Sequence, residues 1–184
     1  MARKFVFMLS DEEKRYLRDL VRVSIGTKLK GEDAEPPAPP TEKLREAYGA
    51  FVTLTLDGRL RGCIGNVQGS GELYRTIWDM ARSAAFSDPR FPPLTAEEFG
   101  QIEHEISVLS PVEPCRDANE IVVGRHGLIV QRAGRSGLLL PQVPVQWGWD
   151  REKFLRQTCL KAGLSEDSWR MAGTGLFWFE AVVF

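Results

Sequence analysis

Histidine, cysteine, net charge and long apolar runs are all scarce in this chain, and each shortage removes a class of function. Two histidines, His104 and His126, are too few for a histidine-rich metal centre. Three scattered cysteines, Cys63, Cys115 and Cys159, form no C-x-x-C pair, which argues against a disulfide framework and structural zinc and fits a reducing cytoplasm. With 24 basic against 25 acidic residues, no global field gathers a polyanion, and the five tryptophans do not interleave with basic residues as a single-strand binding surface requires. Nucleic acid is therefore an unfavoured partner. No apolar run approaches a membrane span. Met1–Leu9 carries two charges and a short apolar run, but acidic residues follow without a small-residue cleavage site, so it reads as the lead into a helix. A Gly-x-Gly-x-x-Gly turn, a phosphate-cradling Gly-x-x-x-x-Gly-Lys loop and a Gly-x-Ser-x-Gly elbow are all missing, so no cofactor is indicated and no metal is expected.

What is present centres on Leu60-Arg61-Gly62-Cys63-Ile64-Gly65, where a thiol, a guanidinium and two glycines interrupt what otherwise reads as a buried strand. Alternation puts Arg61 and Cys63 on one face and Leu60, Gly62 and Ile64 on the other. A permanent cation two residues from a thiol favours its nucleophilic form, and glycines within a strand mark a bulge or a close approach. One reading is the floor of a cysteine-bearing site. The other makes Cys63 a small buried hydrophobe and pairs Arg61 with a carboxylate elsewhere.

The 184 residues suffice for one domain, or for two lobes sharing a core. Ser10-Asp11-Glu12-Glu13 is a capping box, and Leu17, Leu20, Val21, Ser24 and Ile25 form one face of the helix that follows. Residues 30–40, acidic and proline-rich, read as a solvated extended loop, and a short helical piece is expected around Glu42 to Tyr48. Phe51–Leu56, the Asp57-Gly58 turn and Arg59–Gly65 make a hairpin. A two-residue turn pairs Val52 with Cys63 and places the thiol on the apolar face. A three-residue turn with a bulge pairs Thr53 with Cys63 and Thr55 with Arg61, keeping the apolar set together, and is favoured for that reason. Ser70 is expected to cap a helix from about Glu72 to Phe86, stopped by Ser87-Asp88-Pro89-Arg90-Phe91, and Thr95-Ala96-Glu97-Glu98 is a second capping box.

Gln101–Ser110 alternates as a strand, with Ile102, His104, Ile106 and Val108 on one face and Glu103, Glu105, Ser107 and Leu109 on the other. Leu128–Arg132 and Leu138–Leu140 form a second hairpin through Gly134 and Gly137, with His126 on the turn before it. Pro141 and Pro144 end that strand, and Trp147 and Trp149 are expected to anchor a contact between lobes. Asp150 caps a helix to about Ala162 with Cys159 in the core and Gly163 as its stop, and Leu176–Phe184 closes the chain as a strand expected to be buried on both faces.

Phe51-Val52-Thr53-Leu54, Leu60–Gly65, Asp88-Pro89-Arg90-Phe91 with Pro93-Leu94, Ser107-Val108-Leu109, His126-Gly127-Leu128, Leu140-Pro141-Gln142-Val143 and Lys161-Ala162-Gly163-Leu164 occur in the order found in the AMMECR-type domain family. The chain resembles that family, whose members are also called AmmeMemoRadiSam system protein A, from about residue 5 to residue 184. The resemblance implies a single AMMECR-type domain over residues 1–184. Its fold would be α+β, with two unequal lobes, an antiparallel sheet and flanking helices in the larger lobe, and the hexapeptide facing a cleft between them. It also implies Memo-type dioxygenase-like and radical-SAM proteins as company, and it supplies no reaction. At Gln146 a glutamate is expected from the family.

Two functional readings follow. In the first, the protein is a cysteine-dependent enzyme or group-transfer component acting in the cleft on a protein or other sizeable substrate. Cys63 is then the nucleophile, His126 or Glu105 the proton carrier, and the amides beside Gly62 and Gly65 the oxyanion donors. Arg61, Asp88, Arg90, Ser107 and Gln142 complete the substrate-binding set. In the second, the same surface is a non-catalytic module that receives a protein segment, or an accessory subunit for a Memo-type or radical-SAM partner.

Overall fold

The computed structural model describes residues 8–184, so the lead-in expected over residues 1–7 lies outside the described residues. The chain divides into two compact units, one reaching to Leu109 and including Val182–Phe184, the other spanning Ser110–Ala181. Both combine helices with antiparallel strands.

In the first unit, helix α1 (Asp11–Leu29) starts where the capping box places it, with the Ser10 hydroxyl accepting from the Glu13 amide and Glu13 accepting from the Ser10 amide. Its expected apolar face is buried, and Ser24 on that face donates to the Trp78 carbonyl at 2.7 Å. Glu13 is buried as well, because Thr41 and Lys43 supply further partners. A 3-10 turn, Glu42–Arg45, leads into strands β1 (Gly49–Leu56) and β2 (Arg59–Asn66). Helix α2 (Leu73–Phe86) packs across both strands and against α1, the short helix α3 (Ala96–Phe99) follows with its own capping box, and β3 (Glu103–Leu109) pairs with β1 on the side away from β2. Phe184 exchanges both backbone bonds with Ile106 of β3. The core joins Leu17, Leu20, Val21 and Ile25 of α1 to Val52 and Leu54 of β1, Ile106 and Val108 of β3, and Ile77 and Ala81 of α2. Helix α2 has Glu72 at its N-cap position with no side-chain cap, so Ser70 does not act as expected.

In the second unit, β5 (His126–Arg132) lies between β6 (Arg135–Leu139) and β7 (Gly175–Val183), and the two-residue β4 (Glu113–Pro114) pairs with β7. Helix α5 (Arg151–Lys161) packs on β5 and β6 and starts at Asp150, whose carboxylate accepts from the Lys153 amide at 2.7 Å. Phe154, Leu155 and Leu128 form the core, and Cys159 is fully buried as expected.

Three expectations for this unit are corrected. Leu140–Pro144 does more than end a strand, because Gln142–Gln146 is a short helix, α4. Trp147 is 70% exposed and stacks on Trp149, with ring centroids 6.3 Å apart. Strand β7 is mostly half-buried, with only Phe179 buried among its residues.

The β1–β2 hairpin uses both registers that the sequence leaves in competition. Asp57 and Gly58 adopt φ of 52° and 71°, the two positive values of a type I′ turn, and Leu56 faces Arg59 and Thr55 faces Leu60 as a two-residue turn requires. A bulge then shifts the pairing, so that Leu54 faces Gly62 and Thr53 faces Cys63. Arg61 is the extra residue and does not pair with Thr55. The apolar set is restored by an insertion within the strand instead of a longer turn.

Gly62 sits where β2 meets the small-residue end of α2, and a Cβ there would lie 2.1 Å from the Ala84 carbonyl oxygen. Gly62→Ala is therefore expected to lower stability by about 2 kcal/mol, while Gly71→Ala, with nothing within 4 Å of the new methyl, changes it by less than about 0.5 kcal/mol. Equal urea midpoints for the two variants would show that α2 and β2 separate freely.

Candidate functional site

Cys63 projects from the sheet face opposite the first unit's core, because its cross-strand partner Thr53 alternates with the buried Val52 and Leu54. The Thr53 hydroxyl donates to the Cys63 sulfur at 3.3 Å. On its other side Thr53 faces Glu105 of β3, so Cys63, Thr53 and Glu105 form one row across three strands. The next row is Gly65, Phe51 and Ser107. A Cβ at Gly65 would fall 2.3 Å from the Phe51 ring, so this glycine is required by an aromatic side chain lying over it.

The backbone of Cys63 is fixed by the Asp88-Pro89-Arg90 turn. Its amide donates to Asp88 Oδ2 at 2.9 Å and its carbonyl accepts from Arg90 Nη2 at 3.2 Å. Since β1 occupies one side of β2, this turn caps the other edge of the strand at Cys63. The Asp88 carboxylate also accepts from the Arg90 amide, Nε and Nη2, and these bonds hold its pKa well below the usual carboxylate range despite burial. Arg90 in turn is raised, chiefly by Asp88, with the Cys63 side chain a smaller electrostatic contributor. The Cys63 amide, expected as an oxyanion donor beside Gly62, is thus already committed.

Arg61 departs from its expected place. As the bulge residue it leaves the alternation with Cys63, and its guanidinium makes a bidentate pair with Glu98 at 2.8 and 2.9 Å and donates to the Pro92 carbonyl. This is the carboxylate pairing that the second reading of the hexapeptide expected. The same bonds lower Glu98 to about 2, helped by the Thr95 amide. Glu98 was legible in the sequence as a capping residue but not as the partner of Arg61, because nothing in a capping box indicates what packs against the helix start.

Cys63 is the one cysteine of three that is not buried. Burial pushes the Cys115 thiol up to about 11 and also raises Cys159. Of the remaining sequence-derived candidates, Glu105 and Ser107 belong to the first unit, while His126 and Gln142 belong to the second. Gln142 opens α4. His126 is buried at the start of β5 and not on a solvated turn. Its Nδ1 accepts from the Val122 amide at 3.2 Å, which leaves the ring proton on Nε2, and its ring lies 4.6 Å from that of Trp178. Desolvation and the neighbouring Arg125 depress its pKa. Among the described residues no group of three or more His, Cys, Asp or Glu side chains is placed to hold a metal, and no helix is long and apolar enough to cross a membrane.

An antiparallel sheet with helices, bearing a Leu-Arg-Gly-Cys-Ile-Gly strand locked by an Asp-Pro-Arg-Phe turn, defines the class, and the AMMECR1 family model matches residues 18–184. The chain belongs to the AMMECR1 family. It is 42% identical over 175 residues to protein NEQ441 of Nanoarchaeum equitans, covering 91% of this chain and 97% of that one. Protein MK0488 of Methanopyrus kandleri is 44% identical over 185 residues, covering 96% and 89%. The crystal structure of an uncharacterised protein, PH0010 from Pyrococcus horikoshii, superposes with a TM-score of 0.90 at 42% identity, covering 95% of this chain and 92% of that one. None of these names states an activity.

The depressed groups fix the pH dependence of stability. Asp88 and Glu98 titrate below their ordinary 3.8 and 4.5, so their contribution is present above those values and is lost as pH falls. His104 and His126 titrate below 6.5, so folding favours their neutral forms and stability declines as pH falls from 6.5 towards the lowered values. Urea midpoints are expected to fall in two steps, one below about pH 6.5 and one below about pH 4.5. Asp88→Asn should cost about 2 kcal/mol at pH 7 and flatten the second step. An Asp88→Asn protein as stable as the parent at pH 7 would remove the lock from this account.

Proposed function

We propose that the sheet face around Cys63 is a thiol-dependent group-transfer site acting on a protein or other sizeable substrate. The observation that carries this reading is the placement of the thiol. Cys63 alone among the cysteines is partly exposed, the Thr53 hydroxyl donates to its sulfur, and Arg90 is fixed beside it. A donated hydroxyl proton and a nearby cation are partners that accommodate negative charge on sulfur. In the proposed step the sulfur bonds to an electrophilic carbon of the donor as the bond to the leaving group breaks. The thiol proton passes to a carboxylate and from there to the leaving group. Transfer to an acceptor nucleophile then breaks the new carbon–sulfur bond and restores the thiol. Glu105, one strand beyond Thr53 in the same row, is the carrier that the register favours.

A specific observation favours the alternative of a non-catalytic binding module, or of an accessory subunit for a Memo-type or radical-SAM protein. Both arginines of the two motifs are held by carboxylates, Arg61 by Glu98 and Arg90 by Asp88, which makes them architectural and dilutes their charge. Thiol chemistry separates the two readings. Under native conditions iodoacetamide should modify Cys63 at least about tenfold faster than Cys115 or Cys159, by peptide mass spectrometry, and Arg90→Ala should slow that reaction. A Cys63 that labels only after unfolding would end the group-transfer reading and leave the binding module.

A further inference from the structure

We infer that the open edge of β2 at Gly65 is a docking site for an extended polypeptide segment, which pairs there antiparallel to β2 and is then steered over Cys63. This deepens the group-transfer reading, on which it rests for the role of the thiol, and it names the substrate class as an extended stretch of protein chain. β2 is the end strand of its sheet, so one of its edges has no neighbouring strand. Both backbone groups of Cys63 point to that edge, since they bond to Asp88 and Arg90 and not to β1. In an antiparallel ladder the backbone groups two residues on point the same way, and no bulge intervenes between Cys63 and Gly65. The amide and carbonyl of Gly65 therefore face the open edge as well, and no loop or side chain among the described residues bonds to either.

A donor and an acceptor on one residue of a strand edge complement the main chain of another extended segment. The Cys63 carbonyl is already taken by Arg90, which removes half of the bridge that a parallel strand would make between Cys63 and Gly65. An antiparallel strand needs only the two groups of Gly65, so that direction is the one the edge supports. Its C-terminal continuation runs toward Cys63 and meets the Asp88-Pro89-Arg90 turn, which fills the next pairing position. From there it can leave the sheet plane on one face only, because α2 packs on the inner face, with the Ala84 carbonyl against Gly62. The outer face is the one that bears the Cys63 thiol. Gly65 has no side chain to obstruct this path, and the half-buried Phe51 ring lying over it offers the segment an apolar contact.

Hydrogen exchange and amide NMR of the full chain read the edge directly. In the free protein the Gly65 amide should exchange at least about 100-fold faster than that of Ile64, which the ladder pairs with Val52. Titration with the peptide acetyl-Thr-Val-Thr-Val-Thr-Val-amide is expected to give saturable shifts at residues 63–66 and to slow exchange at Gly65. Methylation of every peptide nitrogen in that probe should weaken binding at least about tenfold, because the main chain can then no longer donate. Cys63→Ser should leave the titration unchanged, so an inert thiol and a closed edge are separate failures. A Gly65 amide as protected as that of Ile64 in the free protein would overturn the proposal, as would shifts that do not saturate or that survive methylation. Protection of Gly65 that grows with protein concentration in the absence of peptide would assign the edge to a second copy of this chain and overturn it too.

Discussion

The Asp88 carboxylate, its side chain 1% exposed, accepts four hydrogen bonds, one from the Cys63 amide and three from Arg90. A carboxylate taken out of water and left unpaired would be strongly unfavourable, so this group is tolerable only because every bond is charge-assisted or comes from a fixed backbone amide. The arrangement ties the segment after α2 to the free edge of β2. It also covers, at Cys63, a strand edge that would otherwise invite pairing with another chain. Residue 89 is proline, which disfavours helical geometry at the residue before it, and α2 ends at Phe86. The two sequence motifs are therefore two halves of one contact.

Much of this fold follows from rules that act over a few residues. Both capping boxes, the inward face of α1, the Asp150 cap and the burial of Cys159 could be read directly, because each depends on neighbours within a turn or two. The hairpin shows where such rules stop. Turn chemistry favours one register and apolar alternation the other, and the chain satisfies both in succession by inserting Arg61. That insertion is invisible in a pattern of period two, and it was enough to place Arg61 wrongly beside Cys63.

Other differences have equally local causes. Pro141-Gln142-Val143-Pro144 looks unable to form a helix, yet Pro141 is the N-cap of α4 and Pro144 falls within its first turn, where amides need no intrahelical partner. The glycine and arginine beside His126 mark it as a turn residue, whereas its burial depends on Trp178, a residue of β7 far along the chain. Pairings of that range are not written in the neighbourhood of either residue. The same holds for Arg61 and Glu98, separated by 37 positions.

Within the hexapeptide the structure assigns a packing role to nearly every notable feature. Gly62 admits the α2 backbone, Gly65 admits the Phe51 ring, and Arg61 binds α3 through Glu98. The amide and carbonyl of Cys63 are fixed by Asp88 and Arg90. What packing does not use is the Cys63 side chain, which the bulge directs to the outer face beside Thr53 and in line with Glu105. A small hydrophobe placed only to fill the core would face Val52 and Leu54, as the uninterrupted register would have placed it. The insertion of one residue turns the thiol to the outer face, while Arg61, the extra residue, is held by the Glu98 carboxylate. A bulge that costs ladder bonds to bring a sulfur to a surface, and then locks the backbone on both sides of it, is the kind of local irregularity that protein scaffolds reserve for positioning a reactive or recognising group.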